Sequence, residues 1–197
     1  MRHGLIQALA PMSSVNIVSY SKHWPLHFAQ VRDDLLTGFG DIAVQIEHIG
    51  STSVPCLAGK PVIDVLVGAD SLAAVESRTE ALERLRYRYI SKYEHELPMR
   101  RYFVKPEGTD SLRVHVHAVV LGSSIWHQHI AFRNALCSDG SLLSEYHSLK
   151  MELAARFPHD KSSYTAAKAP FIRSALESLR AVGANNSFNP MPLRGTG

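Results

Sequence analysis

Asp64 stands in the run "PVIDVLVG", an otherwise apolar and largely β-branched segment, and an ionised carboxylate there has to be paired, hydrogen-bonded or metal-bound. Lys60, four residues earlier, is the plain candidate for its counter-ion. A second source of partners is "RVHVHAV", where His115 and His117 are two residues apart. On a strand both imidazoles then point to one face, ~7 Å apart along the chain. With Asp64 from a neighbouring strand they would supply two nitrogens and one oxygen, a set suited to Zn, Mn or Fe more than to Mg. Two solvent-facing histidines on an edge strand are the alternative, and spacing alone leaves both readings open.

Upstream of Asp64 lies the turn "GSTSVP". Gly50 brings a permissive backbone, and the hydroxyls and N–H groups of Ser51, Thr52 and Ser53 suit a phosphate or another oxyanion. A helix N-cap uses the same residue types, so the turn alone does not decide. Lys60 would offset an anion's charge and Arg133 would reach it from a later helix, whereas Lys150 and Lys168 read more simply as solvated surface charges. Glu47 and His48 alternate, so one of them shares the face of Asp64. His48 is preferred, and it joins Asp64 and His117 as the candidates for catalytic roles. His127 and His129 are two apart on a helix and do not share a face. Trp126, Phe132 and Tyr146 read as core residues, and Tyr164 and Lys168, spaced i to i+4, can face the sheet together.

The elements that must hold these groups follow from periodicity. "SKHWPLHFAQVRDDLLTGFG" predicts an amphipathic helix opened near Pro25 and stopped by Gly38 and Gly40. "IAVQIEHIG" alternates as a strand, and "PVIDVLVG" reads as a central strand covered on both faces. "SLAAVESRTEALERL" predicts one helix starting at Asp70 or Ser71, and "RYRYI", "MRRYFVKP" and "SLRVHVHAVVLG" predict three more strands. From Ser123 onward the period becomes helical, over "SSIWHQHIAFRNALC", "GSLLSEYHSLKMELAARFP" and "SSYTAAKAPFIRSALESLRAV". The expected fold is α+β, a mixed sheet with helices packed on it and a helical C-terminal part. It forms a single domain over 15–181, with poorly ordered ends at 1–14 and 183–197.

Composition bounds the setting. A 197-residue chain with 45% hydrophobic and 20% charged residues has the profile of an ordinary globular domain. Cys56 and Cys137 make neither a CxxC pair nor a disulfide ladder, which favours a reducing compartment. No apolar run reaches the ~18 residues of a membrane span and the N-terminus is a weak signal peptide, so the expected location is the cytoplasm. The net charge of +3 comes from scattered cations, which predicts a small anionic or nucleotide-like ligand and no nucleic acid or membrane partner.

Taken in order, "YSKHWPLHFAQV", "IEHIGSTSVPCLAGKPVIDVLVG", "HVHAV", "WHQHIAFRNAL", "EYHSLKMELAARF" and "YTAAKAPFI" resemble the GrpB family of bacterial proteins over Val15 to Leu179. The resemblance implies a nucleotidyltransferase-like fold, and domains of this kind occur fused to dephospho-CoA kinase in some bacteria. Such folds carry Gly-Ser on a turn, two acids one residue apart on a strand and a third acid on its neighbour, which together bind two Mg²⁺ ions. Gly50, Ser51 and Asp64 match. Leu66 stands where the second acid belongs, and His115 or His117 where the third does. Cys56 replaces a usual glycine and Asn134 a usual aspartate.

Three functions remain open from the sequence. One is a nucleotidyl- or phosphoryl-transferase variant with a single divalent metal (Mn, Zn or Mg) on Asp64, His115 and His117. Another is a non-catalytic module that keeps the anion pocket to bind a ligand or partner, as the missing acid at Leu66 suggests. The last is metal-dependent phosphoester hydrolysis.

Overall fold

Alternating apolar residues build a five-stranded mixed sheet. The computed structural model describes residues 14–186 other than 110. In chain order the elements are α1 (Trp24–Phe39), β1 (Val44–Ile49), a one-turn 3₁₀ helix (Ser51–Ser53), β2 (Val62–Ala69), α2 (Leu72–Glu76), α3 (Thr79–Arg84), β3 (Arg88–Tyr89), β4 (Arg100–Lys105), β5 (Arg113–Val120), α4 (Ser124–Ser138), α5 (Gly140–Arg156) and α6 (Lys161–Asn186). The strand order is β1-β2-β5-β4-β3. β2 and β5 run parallel in the interior, and the remaining pairs are antiparallel.

Period-2 alternation gives the sheet two unlike faces. Ile63, Val65, Val67, Phe103, Val114, Val116 and Ala118 bury one face against Trp24, Val31, Leu35 and Phe39 of α1 and against Val75 and Leu82 of α2 and α3. Each fully buried Val or Phe there contributes ~1.5–3 kcal/mol relative to exposure. The opposite face carries Ile49, Leu66 and Val119 beneath Trp126 of α4. A Cβ at Gly68 would sit 2.8 Å from the Trp126 ring, so a glycine is what lets α4 lie this close. α4 covers only part of this face. α5 and α6 pack beside it through Leu136, Tyr146, Phe171 and Ile172, above the turn that contains Val54 and Leu57. The site lies where these layers meet.

Helix boundaries follow local chemistry. Pro25 opens α1 and Gly40 closes it with φ 62°. The Ser71 and Ser123 side chains accept from Ala74 N and Trp126 N, while Asp139 ends α4 and caps α5 by accepting from Ser141 N and Leu142 N. The single helix expected over "SLAAVESRTEALERL" is instead two. The Ser77 hydroxyl donates to the Ala74 carbonyl at 2.7 Å, and Arg78 leaves helical geometry at ψ 2°. The strand expected at "RYRYI" shrinks to Arg88–Tyr89 because Arg86 turns with φ 72°. The expected disordered ends, 1–14 and 183–197, lie outside the described residues except for Ser14 and for 183–186, which continue α6.

Cys56 adopts φ 67° between the 3₁₀ turn and β2, a left-handed conformation that glycine adopts freely and an L side chain adopts at a cost of ~1–2 kcal/mol. Its thiol is exposed and offers little packing in return. Cys56→Gly should therefore stabilise the protein by up to ~1 kcal/mol, a rise of ~2–4 °C in Tm. A lower melting temperature in a thermal scan would contradict this account of the turn.

Candidate functional site

Strand register decides which groups meet. Ile49 lies opposite Asp64 and Asp64 opposite His115, while Glu47, Leu66, His117 and Tyr102 line up one step along. Asp64, His115 and His117 therefore share one face, as their spacing predicts. His48 does not. It pairs with Val65 on the opposite face, stacks on Phe28 of α1 at 4.6 Å between ring centroids, and bonds Thr52 Oγ1 at 3.0 Å. Burial lowers its pKa to about 4. The expectation that His48 shares the face of Asp64 is thus corrected: Glu47 occupies that face, and His48 ties α1 to the 3₁₀ turn.

A cleft of about 370 Å³ opens over this face. Gly50, Ser51, Asp64, His117 and His129 form part of its wall, Arg133 and Lys168 bring cations, and Phe132, Leu136 and Ile172 give an apolar side. The turn approaches Asp64 so closely that a Cβ at Gly50 would lie 2.4 Å from Asp64 Oδ2, and φ 71° at Gly50 also favours glycine. Ser51 faces the cleft. Ser53 does not line it, contrary to its expected anion-binding role, because at the third position of the 3₁₀ turn its hydroxyl donates back to the Gly50 carbonyl at 2.6 Å.

The Asp64 side chain is 29% exposed, and its Oδ1 lies 3.2 Å from His115 Nδ1. Burial pushes the carboxyl pKa up, but the His115 hydrogen bond and the surrounding positive charge outweigh it and hold the pKa below its ordinary value. Lys60 is not the direct partner anticipated for Asp64. Its ammonium lies over the Tyr164 ring, 4.5 Å from the centroid.

Guanidinium groups fix the tautomers of both imidazoles, because arginine has only donors. Arg113 Nε donates to His115 Nε2 at 3.1 Å, so His115 carries its proton on Nδ1 and donates it to Asp64. The Arg100 guanidinium donates to His117 Nδ1 at 3.0 Å, leaving the His117 proton on Nε2. Burial, with His129, Arg100 and His115 adding to it, lowers the His117 pKa to about 3, so the ring is neutral at pH 7. His129 packs 5.9 Å from it, ring to ring, while His127 on the same helix is exposed, as their spacing predicts. Both His115 nitrogens and the His117 Nδ1 lone pair are therefore engaged. Among the described residues no three His, Cys, Asp or Glu side chains are grouped to hold a metal. The metal set expected of Asp64, His115 and His117 shares a face but does not fit a cation as arranged.

The largest surprise is Lys150. Expected as a solvated charge, it is 2% exposed and lies in a stripe with Tyr146 and Leu153 on the inner side of α5. Its Nζ donates to Ser51 Oγ at 2.7 Å and to the Ala58 carbonyl oxygen. Lys168 lines the cleft and also lies 4.5 Å from the Tyr164 ring that Lys60 touches. Among the described residues none of the three lysines forms an ion pair. Burial and mutual repulsion lower Lys150 to about 7 and Lys60 to about 8, and burial lowers Lys168. Arg133 is already matched, by Glu47 at 2.6 Å and the His48 carbonyl at 3.0 Å, and its Nε donates to Asn134 Oδ1 at 3.0 Å.

Motif reading set Lys150 aside as a surface charge and His129 as a poor metal partner of His127, and it did not single out Arg100 or Arg113. Two of them left a trace. Lys150 interrupts an apolar helical stripe, and Arg113 extends the alternation of His115 and His117 by one more step.

A buried cation with a depressed pKa has a definite pH signature. Between about 7 and the ordinary lysine value, the unfolded chain keeps the Lys150 proton while the folded chain has released it, so folded stability rises with pH across that window. The stability difference between wild type and Lys150→Met should therefore move in favour of wild type as pH rises from ~7 to ~10. Denaturant melts at both ends of that window would contradict the site if the difference stayed constant or reversed.

The family described as "GrpB protein" matches residues 14–178. The Bacillus subtilis protein YqkA is 34% identical over 181 residues, which are 91% of this chain and 52% of the relative, so the chain spans about half of that protein. The glutamate-rich protein GrpB of Alkalihalophilus pseudofirmus is 32% identical over 168 residues, covering 84% of this chain and 95% of the relative. Among solved structures, GrpB from Enterococcus faecalis superposes with a TM-score of 0.72 at 30% identity, covering 84% of this chain and 99% of that one. The mixed sheet and its helices are those the resemblance implied, and the chain belongs to the GrpB family.

Proposed function

We propose that the cleft binds a nucleotide-like phosphate anion, with the Gly50–Ser51 turn and the lysines receiving the phosphates and the apolar wall receiving a flat organic group. The observation that carries this reading is the Lys150–Ser51 contact at 2.7 Å, within a set of lysines that lacks carboxylate partners. Buried cations that exceed their counter-ions are costly in the empty protein, and an anionic ligand offsets that cost. The cleft volume of about 370 Å³ lies within the range of small-molecule sites. Phe132, Leu136 and Ile172 provide the apolar contact, and Gln128 and Thr165 provide polar groups beside it.

A transferase reading has one observation in its favour. Asp64 Oδ2 stands against Gly50 in the cleft wall, where a ligand hydroxyl would meet it. A carboxylate held below its ordinary pKa is a weak proton acceptor, however, and the neighbouring strand position that would supply a second acid is the fully buried Leu66. Binding without turnover therefore agrees better with the chemistry of these side chains.

Calorimetric titration with ATP, ADP and inorganic triphosphate tests the reading. An ammonium ~4 Å from a phosphate contributes up to ~4 kcal/mol at an effective dielectric of about 20, so Lys168→Ala should weaken binding at least ~10-fold. Asp64→Asn removes a negative charge from the cleft and should leave affinity equal or higher. If none of the three anions binds to wild type, or if Asp64→Asn abolishes binding, this reading is wrong. A further expectation is that affinity falls as pH rises from ~7 to ~9, because the lysine cations that attract the anion are lost in that range.

A further inference from the structure

We infer that this site takes up its phosphate anion free of divalent metal, with the lysines beside Ser51 and Tyr164 occupying the electrostatic role that metal ions hold in two-metal phosphoryl-transfer sites. The inference rests on the anion-binding reading and specifies its ligand: a metal-free polyphosphate rather than a metal complex of one.

Three independent features carry it. The first is donor chemistry. A metal ligand must offer a lone pair, and the His115 Nε2 and His117 Nδ1 lone pairs each accept from a guanidinium, at 3.1 Å and 3.0 Å. Flipping either tautomer would set an imidazole N–H against an arginine N–H and break the hydrogen bond between them. The second is charge. A divalent ion at Asp64 would share the cleft with the cations Arg133 and Lys168, with Asp64 the only acid in the cleft wall among the described residues. Two-metal sites are instead built from several converging carboxylates. The third is packing. Leu66, one step along β2 on the same face as Asp64, is 0% exposed and packs with Ile49, Val119 and Trp126, so that position is committed to the core.

The cations available to a ligand point the same way. In a metal-dependent site the ion shields the phosphate oxygens and the protein contributes acids. Here the protein contributes the cations, and the two acids nearest the cleft are already engaged: Asp64 by His115, and Glu47 by Arg133. A metal bound to the phosphate would remove about two of the ligand's charges and weaken its attraction to Lys168 and its neighbours.

The test is calorimetry of the full chain with ATP and with inorganic triphosphate, once with excess EDTA and once with excess Mg²⁺ or Mn²⁺. Binding that persists in EDTA and weakens roughly tenfold with metal supports the inference. Binding seen only with metal overturns it while leaving the anion-binding reading in place. Absence of binding under both conditions overturns that reading and this inference together. An independent arm needs no nucleotide: the protein is equilibrated with Zn²⁺ or Mn²⁺, dialysed and measured by elemental analysis. Wild type should retain no stoichiometric metal, and Arg100→Ala/Arg113→Ala, which frees both lone pairs, should gain Zn²⁺. Stoichiometric metal in wild type that disappears in Asp64→Ala would overturn the inference even if the double variant failed to fold.

Discussion

The contact between the Lys150 ammonium and the Ser51 hydroxyl at 2.7 Å links the helical layer to the sheet at the point where the cleft forms. Lys150 comes from α5, Ser51 from the turn after β1, and the Ala58 carbonyl that also accepts from Lys150 lies just before β2. One ammonium thus fixes both ends of the segment 51–58, and with it the position of Gly50 against Asp64. An apolar residue at position 150 would pack well in the stripe it shares with Tyr146 and Leu153, but it could not hold that segment. A desolvated cation at this position is the stability cost of holding the turn in place.

The rest of the site is arranged around the same surplus of positive charge. Lys60 and Lys168 both lie against the ring of one tyrosine, Tyr164, so its quadrupole partly compensates two ammoniums that repel each other. Arg133 is neutralised by Glu47 and directed by a backbone carbonyl. The network from Arg113 through His115 to Asp64 keeps that carboxylate ionised and oriented, while burial keeps His117 neutral and the Arg100 contact leaves an N–H as its remaining donor. Among the charged groups of the wall, the cations Arg133 and Lys168 outnumber the one acid found there among the described residues, Asp64, a balance that suits oxygen-rich anions.

Much of this was legible in the sequence where a short period governs. The alternation in "RVHVHAV" placed His115 and His117 on one face, and the lone acid in "PVIDVLVG" lies in the cleft wall. What the sequence did not contain was register. Whether Glu47 or His48 joins Asp64 depends on how β1 slides along β2, and a one-residue shift would have exchanged them. Lys150 was missed for a different reason: lysine is so often solvated that its place within an apolar stripe counted for too little. The guanidiniums that occupy the imidazole lone pairs were beyond reach, since Arg100 meets His117 only through the β4–β5 pairing. The break between α2 and α3 carries no glycine or proline, and a serine hydroxyl that competes for a helical carbonyl is a weak sequence signal.

A lysine-selective NMR titration tests most directly whether the Lys150–Ser51 clamp belongs to an anion-binding pocket. In the ligand-free protein the Lys150 side chain should titrate near pH 7, apart from the solvated lysines, and saturation with inorganic pyrophosphate should move that titration upward by at least ~1 pH unit. A Lys150 that titrates like an exposed lysine in the free protein, or one whose titration pyrophosphate leaves unchanged, would contradict the account.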